Sequence, residues 1–172
     1  MDFLDLRLRV ADMVGSRAIS DILPDLTRQA ETVLSRRLRT MWQMDEFTPV
    51  WAGDEAPLPS DFLQLAWVDN NLRVKGSTLI RRRPYRSNYA DLEYYAALPT
   101  ITTGPDGTNW LLDLFPNAYV YAVGVEASKH LRKPEEGLAL QDLLDGELRA
   151  VKIEDDRARF SHRAVRVAGC TP

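Results

Sequence analysis

One cysteine and two histidines are all the thiol and imidazole side chains this sequence carries. Structural zinc takes about four Cys or His ligands, and catalytic zinc takes three protein ligands. Cys170, His130 and His162 stand too far apart to meet either need, so no metal and no cofactor is expected. Cys170 sits beside the C-terminus with no second cysteine to pair with inside the chain, which fits a reducing compartment. A Ser-His-acid triad needs a histidine between nucleophile and carboxylate. His130 falls on a helix of core character and His162 in the C-terminal stretch, and both read as core or surface residues.

Glycine is scattered, with neither the G-x-G-x-x-G nor the G-x-x-x-x-G-K spacing, so no backbone cradle for nucleotide phosphates is predicted. Charge of one sign is also missing. Lys plus Arg total 22 against 25 Asp plus Glu, and a net −3 gives no global pull toward nucleic acid or an acidic membrane. Long apolar runs are absent too. The longest, around Ala118 to Val125, is well short of the roughly 20 residues a bilayer span needs. Asp2, Asp5, Arg7 and Arg9 interrupt the first residues, so no signal-peptide core is expected there. These exclusions predict a protein that stays out of membranes and is not an enzyme.

What remains is enough for one sizeable core: 45% of residues are hydrophobic and 9% aromatic. Helices are expected at about 3–14, 24–40, 109–131 and 134–154. The second is the clearest. Pro24 suits a first helical turn, Asp25 opposes the dipole there, and Arg36, Arg37 and Arg39 fall in the last turn. Leu26, Ala30, Val33, Leu34 and Leu38 make its core stripe, and Arg28, Glu31, Ser35 and Arg39 its polar face. Thr108 or Asn109 caps a helical turn through Trp110, and Pro116 restarts the helix. From Asn117 to Leu131 small and apolar residues lie on nearly every side, as in a central helix. Trp110, Leu111, Tyr119, Val123 and Leu131 are expected in the core with Leu26, Val33 and Leu34. The last helix opens at Pro134, Glu135 and Glu136 and fades near Asp155 and Asp156.

Between residues 45 and 99 the pattern turns to β-branched and aromatic residues with frequent prolines. Strands are expected at Phe47 to Ala52, through Leu63, Leu65 and Trp67, at Ser77 to Arg81 and at Leu92 to Ala96. Asn70 and Asn71 form the turn of a strand-turn-strand unit. The fold class predicted is mainly α, of the α+β kind: a helical bundle with an inserted small antiparallel sheet or hairpin and an extended C-terminal arm. Residues 1–160 form a single domain and 161–172 a tail.

Few residues carry chemistry. The acidic groups Glu135 with Glu136, and Glu154 with Asp155 and Asp156, read as helix-end charge before they read as acid-base pairs. Arg81, Arg82 and Arg83, followed by Pro84, Tyr85 and Arg86, form the strongest charge cluster. It suits DNA phosphates, an acidic protein surface, or simple solvation.

Four stretches, in order, carry a resemblance. They are the Ala-Glu helix from Pro24 that ends Ser35-Arg36-Arg37-Leu38-Arg39, and Leu58-Pro59-Ser60-Asp61-Phe62 at the start of a strand. The third is the Tyr94-Tyr95 strand, and the fourth is Thr108-Asn109-Trp110 leading to Pro116 and Tyr119. In order and spacing they are similar to the head-to-tail adaptor, or connector, proteins of tailed bacteriophages, including tail accessory factors that sit beneath the portal. The stretch from Asn71 to Leu92 departs from that family, where a longer strand-rich insertion is expected.

The resemblance implies a virion protein of the head-tail junction, assembled in the host cytoplasm as a homo-oligomeric ring, a dodecamer, through which genomic DNA passes without sequence readout. Its partners are then the portal protein above and tail or nozzle proteins below. Arg81, Arg82, Arg83 and Arg86 face the DNA channel or a neighbouring subunit. Phe160, Arg163, Val165, Arg166 and Val167 belong to a portal-docking arm that adds a strand to its partner. Two other functions compete. A tail accessory factor with cell-wall hydrolase activity would draw its carboxylate from Glu31, Glu93 or Glu126, and a DNA-binding module would use Arg81 to Arg86.

Overall fold

In the computed structural model, residues 1–15, 19–67, 71–82, 91–104 and 106–160 are described. Among these described residues, five α-helices and two small antiparallel sheets make an α+β fold. Helix α1 (Phe3–Val14) is capped by Asp2, whose carboxylate accepts the Asp5 N–H at 2.8 Å, and is closed by Gly15 in the left-handed region at φ 66°. Glycine adopts that conformation without the Cβ penalty. Helix α2 (Leu23–Arg37) starts around Pro24, as its sequence predicts.

Three strands make the first sheet in the order β1-β6-β3: β1 (Met44–Phe47), β6 (Leu92–Ala96) and β3 (Phe62–Leu65). The second has the order β2-β5-β4: β2 (Glu55–Pro57), β5 (Thr78–Arg81) and β4 (Leu72–Lys75). The strands expected on either side of Asn70 and Asn71 are present as β3 and β4, in different sheets. The strand before the turn pairs with β6 and the strand after it with β5. The first strand lies earlier than the predicted Phe47 to Ala52, with Met44 opposite Tyr95 and Phe47 opposite Leu92. Pro49, which lacks an N–H, falls outside it.

Asn109 caps the short α3 (Trp110–Leu114), its side chain accepting the Leu112 N–H at 3.0 Å. After Phe115, α4 (Pro116–His130) begins, so the stretch expected at 109–131 is two helices with the restart at Pro116 that its sequence predicts. Helix α5 (Pro134–Phe160) is the last element among the described residues. No helix among the described residues is long and apolar enough to cross a membrane.

Helix α4 is central, packing against α1, α2, α3 and α5. Nine of its residues are buried, which explains the small and apolar side chains on nearly every side. The core it organises takes Leu6 and Val10 from α1, Leu26 and Leu34 from α2, Leu111 from α3 and Leu144 from α5. Tyr119 and Val123 sit inside it as expected. Trp110 is only half-buried, stacked on Trp42 with ring centroids 5.7 Å apart, and Val33 and Leu131 are half-buried as well. Trp110 and Leu131 pack against the core from its rim, and Val33 is not part of it.

Helix α2 stops at Arg37, three residues before the predicted Thr40, because Leu38 turns extended and Leu38 and Thr40 are buried beside it. The turn delivers the Met41 N–H to the Asp155 carboxylate at 2.6 Å. That contact also corrects the far end of the chain. Asp155 is buried and accepts from Arg159 at 2.8 Å, while Glu154 pairs with Arg157 at 2.6 Å. Helix α5 thus runs six residues past the predicted 154. Pairs at i, i+3 and i, i+4 support a helix whose end reads as charged and frayed in one dimension.

Candidate functional site

The polar face assigned to α2 is solvated only in part, with Arg28 exposed. Glu31 and Ser35 are buried, covered by the segment that follows β6. Oε1 of Glu31 accepts two hydrogen bonds, from the Ile101 N–H at 2.8 Å and the Tyr119 hydroxyl at 2.6 Å. Ser35 accepts the Leu98 N–H at 2.9 Å. Asn109 donates from one amide nitrogen to the Pro99 carbonyl at 2.8 Å and to the Tyr119 hydroxyl at 3.3 Å, while its oxygen caps α3.

This arrangement fixes an irregular segment, residues 97–101, by giving its backbone groups side-chain partners. Buried backbone N–H groups without partners are costly. The electrostatics follow from burial. Desolvation raises the Glu31 carboxyl above its ordinary range, against the donors from Ile101 and Tyr119 that lower it. The Tyr119 phenol is raised by burial and then by its bond to Glu31. A second tyrosine behaves likewise. Tyr94 donates to Asp61 at 3.1 Å and stacks on Phe62, and burial pushes its phenol up to about 12.

A groove of about 450 Å³ runs beside this network, bordered by Arg28, Glu31, Arg36, Leu63 and Thr100. Glu31 forms its buried wall, with Oε1 committed to structural donors. The other two carboxylates considered for hydrolysis are on different elements. Glu93, on β6, accepts from the Trp67 indole, and Glu126, on α4, pairs with Lys129 at 2.7 Å. Among the described residues no group of three or more His, Cys, Asp and Glu side chains is placed to hold a metal ion.

The arginine cluster is split. Arg81 ends β5 with its guanidinium 4.4 Å from the Trp51 ring centroid and donates to the Gly53 carbonyl, so it secures the second sheet. Arg82 is exposed. Arg83 and Arg86 lie outside the described residues, as do Arg163, Val165, Arg166 and Val167 of the expected docking arm. Phe160 is helical, the last residue of α5, and 56% exposed.

Sequence reasoning missed Glu31 as a buried group. One signal was available: an Ala-Glu pair inside a helix of otherwise regular apolar spacing, with Tyr119 at the centre of the most apolar helix and needing a hydroxyl partner. No protein-family model matches this sequence, and no curated protein is similar enough to it to count as a relative.

Proposed function

We propose that the chain is a head-to-tail adaptor of a tailed bacteriophage, a structural virion protein whose copies form a ring between portal and tail. In this reading the fold is a helical bundle with a β insertion, and residues beyond Phe160 are the arm that reaches the portal. The observation that carries it is the way the four stretches of the resemblance hold one another.

Asp61 and Phe62 of the second stretch receive Tyr94 of the third, through a hydrogen bond and a ring stack. The segment just after the third stretch is pinned by Glu31 and Ser35 of the first. Asn109 and Tyr119 of the fourth close the set on Glu31. A set of residues spread over most of the chain thus acts as one fixed scaffold. A ring spacer requires such rigidity, since each subunit must hold two different contact surfaces at a constant angle for the ring to close.

Co-expression with the products of the neighbouring genes, affinity capture and electron microscopy test the proposal. Rings with a central channel, seated on a portal, are expected. A chain that captures no portal and forms no ring overturns it.

A further inference from the structure

Helix α4 closes on a residue that disfavours the conformation it holds. Arg132 stands at φ 58°, in the left-handed region, with its N–H on the Lys129 carbonyl, and the next N–H, of Lys133, reaches the Ser128 carbonyl at 2.9 Å. Those two bonds make the helix-closing turn in which glycine or asparagine is the usual occupant of Arg132's place. The Arg132 guanidinium is exposed and has no partner among the described residues.

The turn borders a groove of about 460 Å³ between α4 and the first two turns of α5, a volume within the range of small-ligand sites. Val125, Ser128, Lys129 and Arg132 follow one another at helical spacing down α4 and through its closing turn, and Pro134, Gly137, Leu138 and Gln141 do the same in α5. Each helix thus gives the groove one stripe. Val125, Pro134 and Leu138 make its apolar wall, and Leu138 is 69% exposed there.

Ser128 is completely buried, and its hydroxyl has no hydrogen-bond partner among the described residues. Gly137, which faces it from α5, has no side chain to offer, and a Cβ built there would lie 3.4 Å from the Ser128 Cβ. Buried hydroxyls without partners are rare in native structures. One in the wall of a groove points to an acceptor from outside the chain.

Every charged residue of the lining is a cation. Two of the three are engaged, Lys129 with Glu126 at 2.7 Å and Lys133 with Glu136 at 3.0 Å, so those four charges offset one another. Glu135 and Asp142, the exposed acids nearest in sequence, do not line the groove, and Gln141 gives its amide N–H to Asp145 at 2.9 Å. An apolar wall, one hydroxyl and one unpaired guanidinium remain for a ligand.

We propose that this groove binds a small amphipathic carboxylate, an aryl or short alkyl chain ending in an acid. The chain lies on Val125, Pro134 and Leu138, and the carboxylate accepts from the Ser128 hydroxyl and the Arg132 guanidinium, the second bond being charge-assisted. The site does not depend on the adaptor reading, and neither falls with the other.

Calorimetry and amide NMR of the full chain with 4-phenylbutyrate test the assignment. Saturable binding is expected, with shifts confined to the two stripes, and about tenfold weaker binding of the uncharged 4-phenylbutanamide. Arg132→Gly and Ser128→Ala should each weaken 4-phenylbutyrate binding by about tenfold. Both should melt no lower than the wild type, since one removes a side chain from a left-handed position and the other an unpartnered buried hydroxyl. Residues present for stability alone would give the reverse pattern, a lower melting temperature with binding unchanged. That pattern, the absence of saturable binding, or equal binding of the amide overturns the proposal. An acetylated tripeptide ending in phenylalanine that binds more tightly than 4-phenylbutyrate makes a chain terminus the occupant and overturns the small-molecule assignment.

Discussion

The Tyr119 hydroxyl of α4 donates to Oε1 of Glu31 in α2 at 2.6 Å, joining helices whose pairing has no other polar side-chain bond at this depth of the core among the described residues. The same oxygen holds the Ile101 N–H, so one carboxylate ties two helices and an irregular segment together. Tyr119→Phe should therefore cost about 1 to 3 kcal/mol, the range for losing a bond to a charged group with one partner left under-satisfied. Glu31→Gln, which keeps an acceptor, should cost less than Glu31→Ala. Urea unfolding reads both. A Tyr119→Phe protein as stable as the wild type would show that the bond contributes nothing.

The same pair sets a pH dependence. Burial raises the folded Glu31 carboxyl above its ordinary 4.5, so between that value and its folded one the native state binds more protons than the unfolded chain. Stability must then fall as pH rises through this window. The contribution is complete below 4.5 and lost above the folded value. Glu31→Gln should flatten that part of the stability profile, and an unchanged slope in the variant would assign it to other groups.

At the alkaline end Tyr94 repeats the argument in the first sheet. Burial, with Asp61 as partner, keeps its phenol neutral up to about 12 against an ordinary 10.0. Stability associated with it is full below 10.0 and is lost as pH climbs through about 12. Ultraviolet titration should show a late-ionising tyrosine that disappears in Tyr94→Phe.

Much of the helical frame was legible because its signals are local. Pro24 with Asp25, the stripe of Leu26, Ala30 and Leu34, the Asn109 cap and Pro116 all act within one turn of themselves. The Tyr94-Tyr95 strand was legible for a similar reason. The parts misread depend on distant residues. Glu31 and Ser35 look solvated until residues 97–101 fold over them. Helix α2 ends early to serve Asp155, which stands 114 residues from Met41. The strands on either side of Asn70 and Asn71 were visible, but strand partners are chosen by long-range pairing, and β3 and β4 lie in different sheets. Of the candidate site, only Arg81 and Arg82 of the basic cluster and Phe160 of the arm fall where the structure describes them, and Arg81 is engaged within its own sheet.

Gly107 offers a steric test of the segment before α3. A Cβ there would lie 1.8 Å from the Thr102 carbonyl oxygen, a backbone atom that cannot swing aside. Gly107→Ala should destabilise by about 1 to 3 kcal/mol, as overpacking does. Gly146→Ala is the contrast, with nothing within 4 Å of the added carbon and a gain of up to about 1 kcal/mol in helix propensity. Thermal melts of the two variants should move in opposite directions at concentrations where the protein is monomeric.

Asp155 and Asp156 are adjacent acids that look alike in sequence and are opposite in the fold. Asp155 is 3% exposed, accepts the Met41 N–H at 2.6 Å and pairs with Arg159 at 2.8 Å, whereas Asp156 is exposed. Asp155→Ala takes the acceptor from the part-buried Met41 N–H and strips the half-buried Arg159 of its partner, so a loss of about 2 to 3 kcal/mol is expected. Asp155→Asn keeps an oxygen for Met41 and should recover part of it. Asp156→Ala, on the solvent side, should stay within about 0.5 kcal/mol of the wild type. The loss should also be local, because the last turns of α5 depend on this contact. Amide exchange beyond Val151 should accelerate in Asp155→Ala while α4 keeps its protection. Equal effects of the two alanine substitutions would mean that α5 extends to Phe160 on its own propensity and that the link to Met41 is incidental.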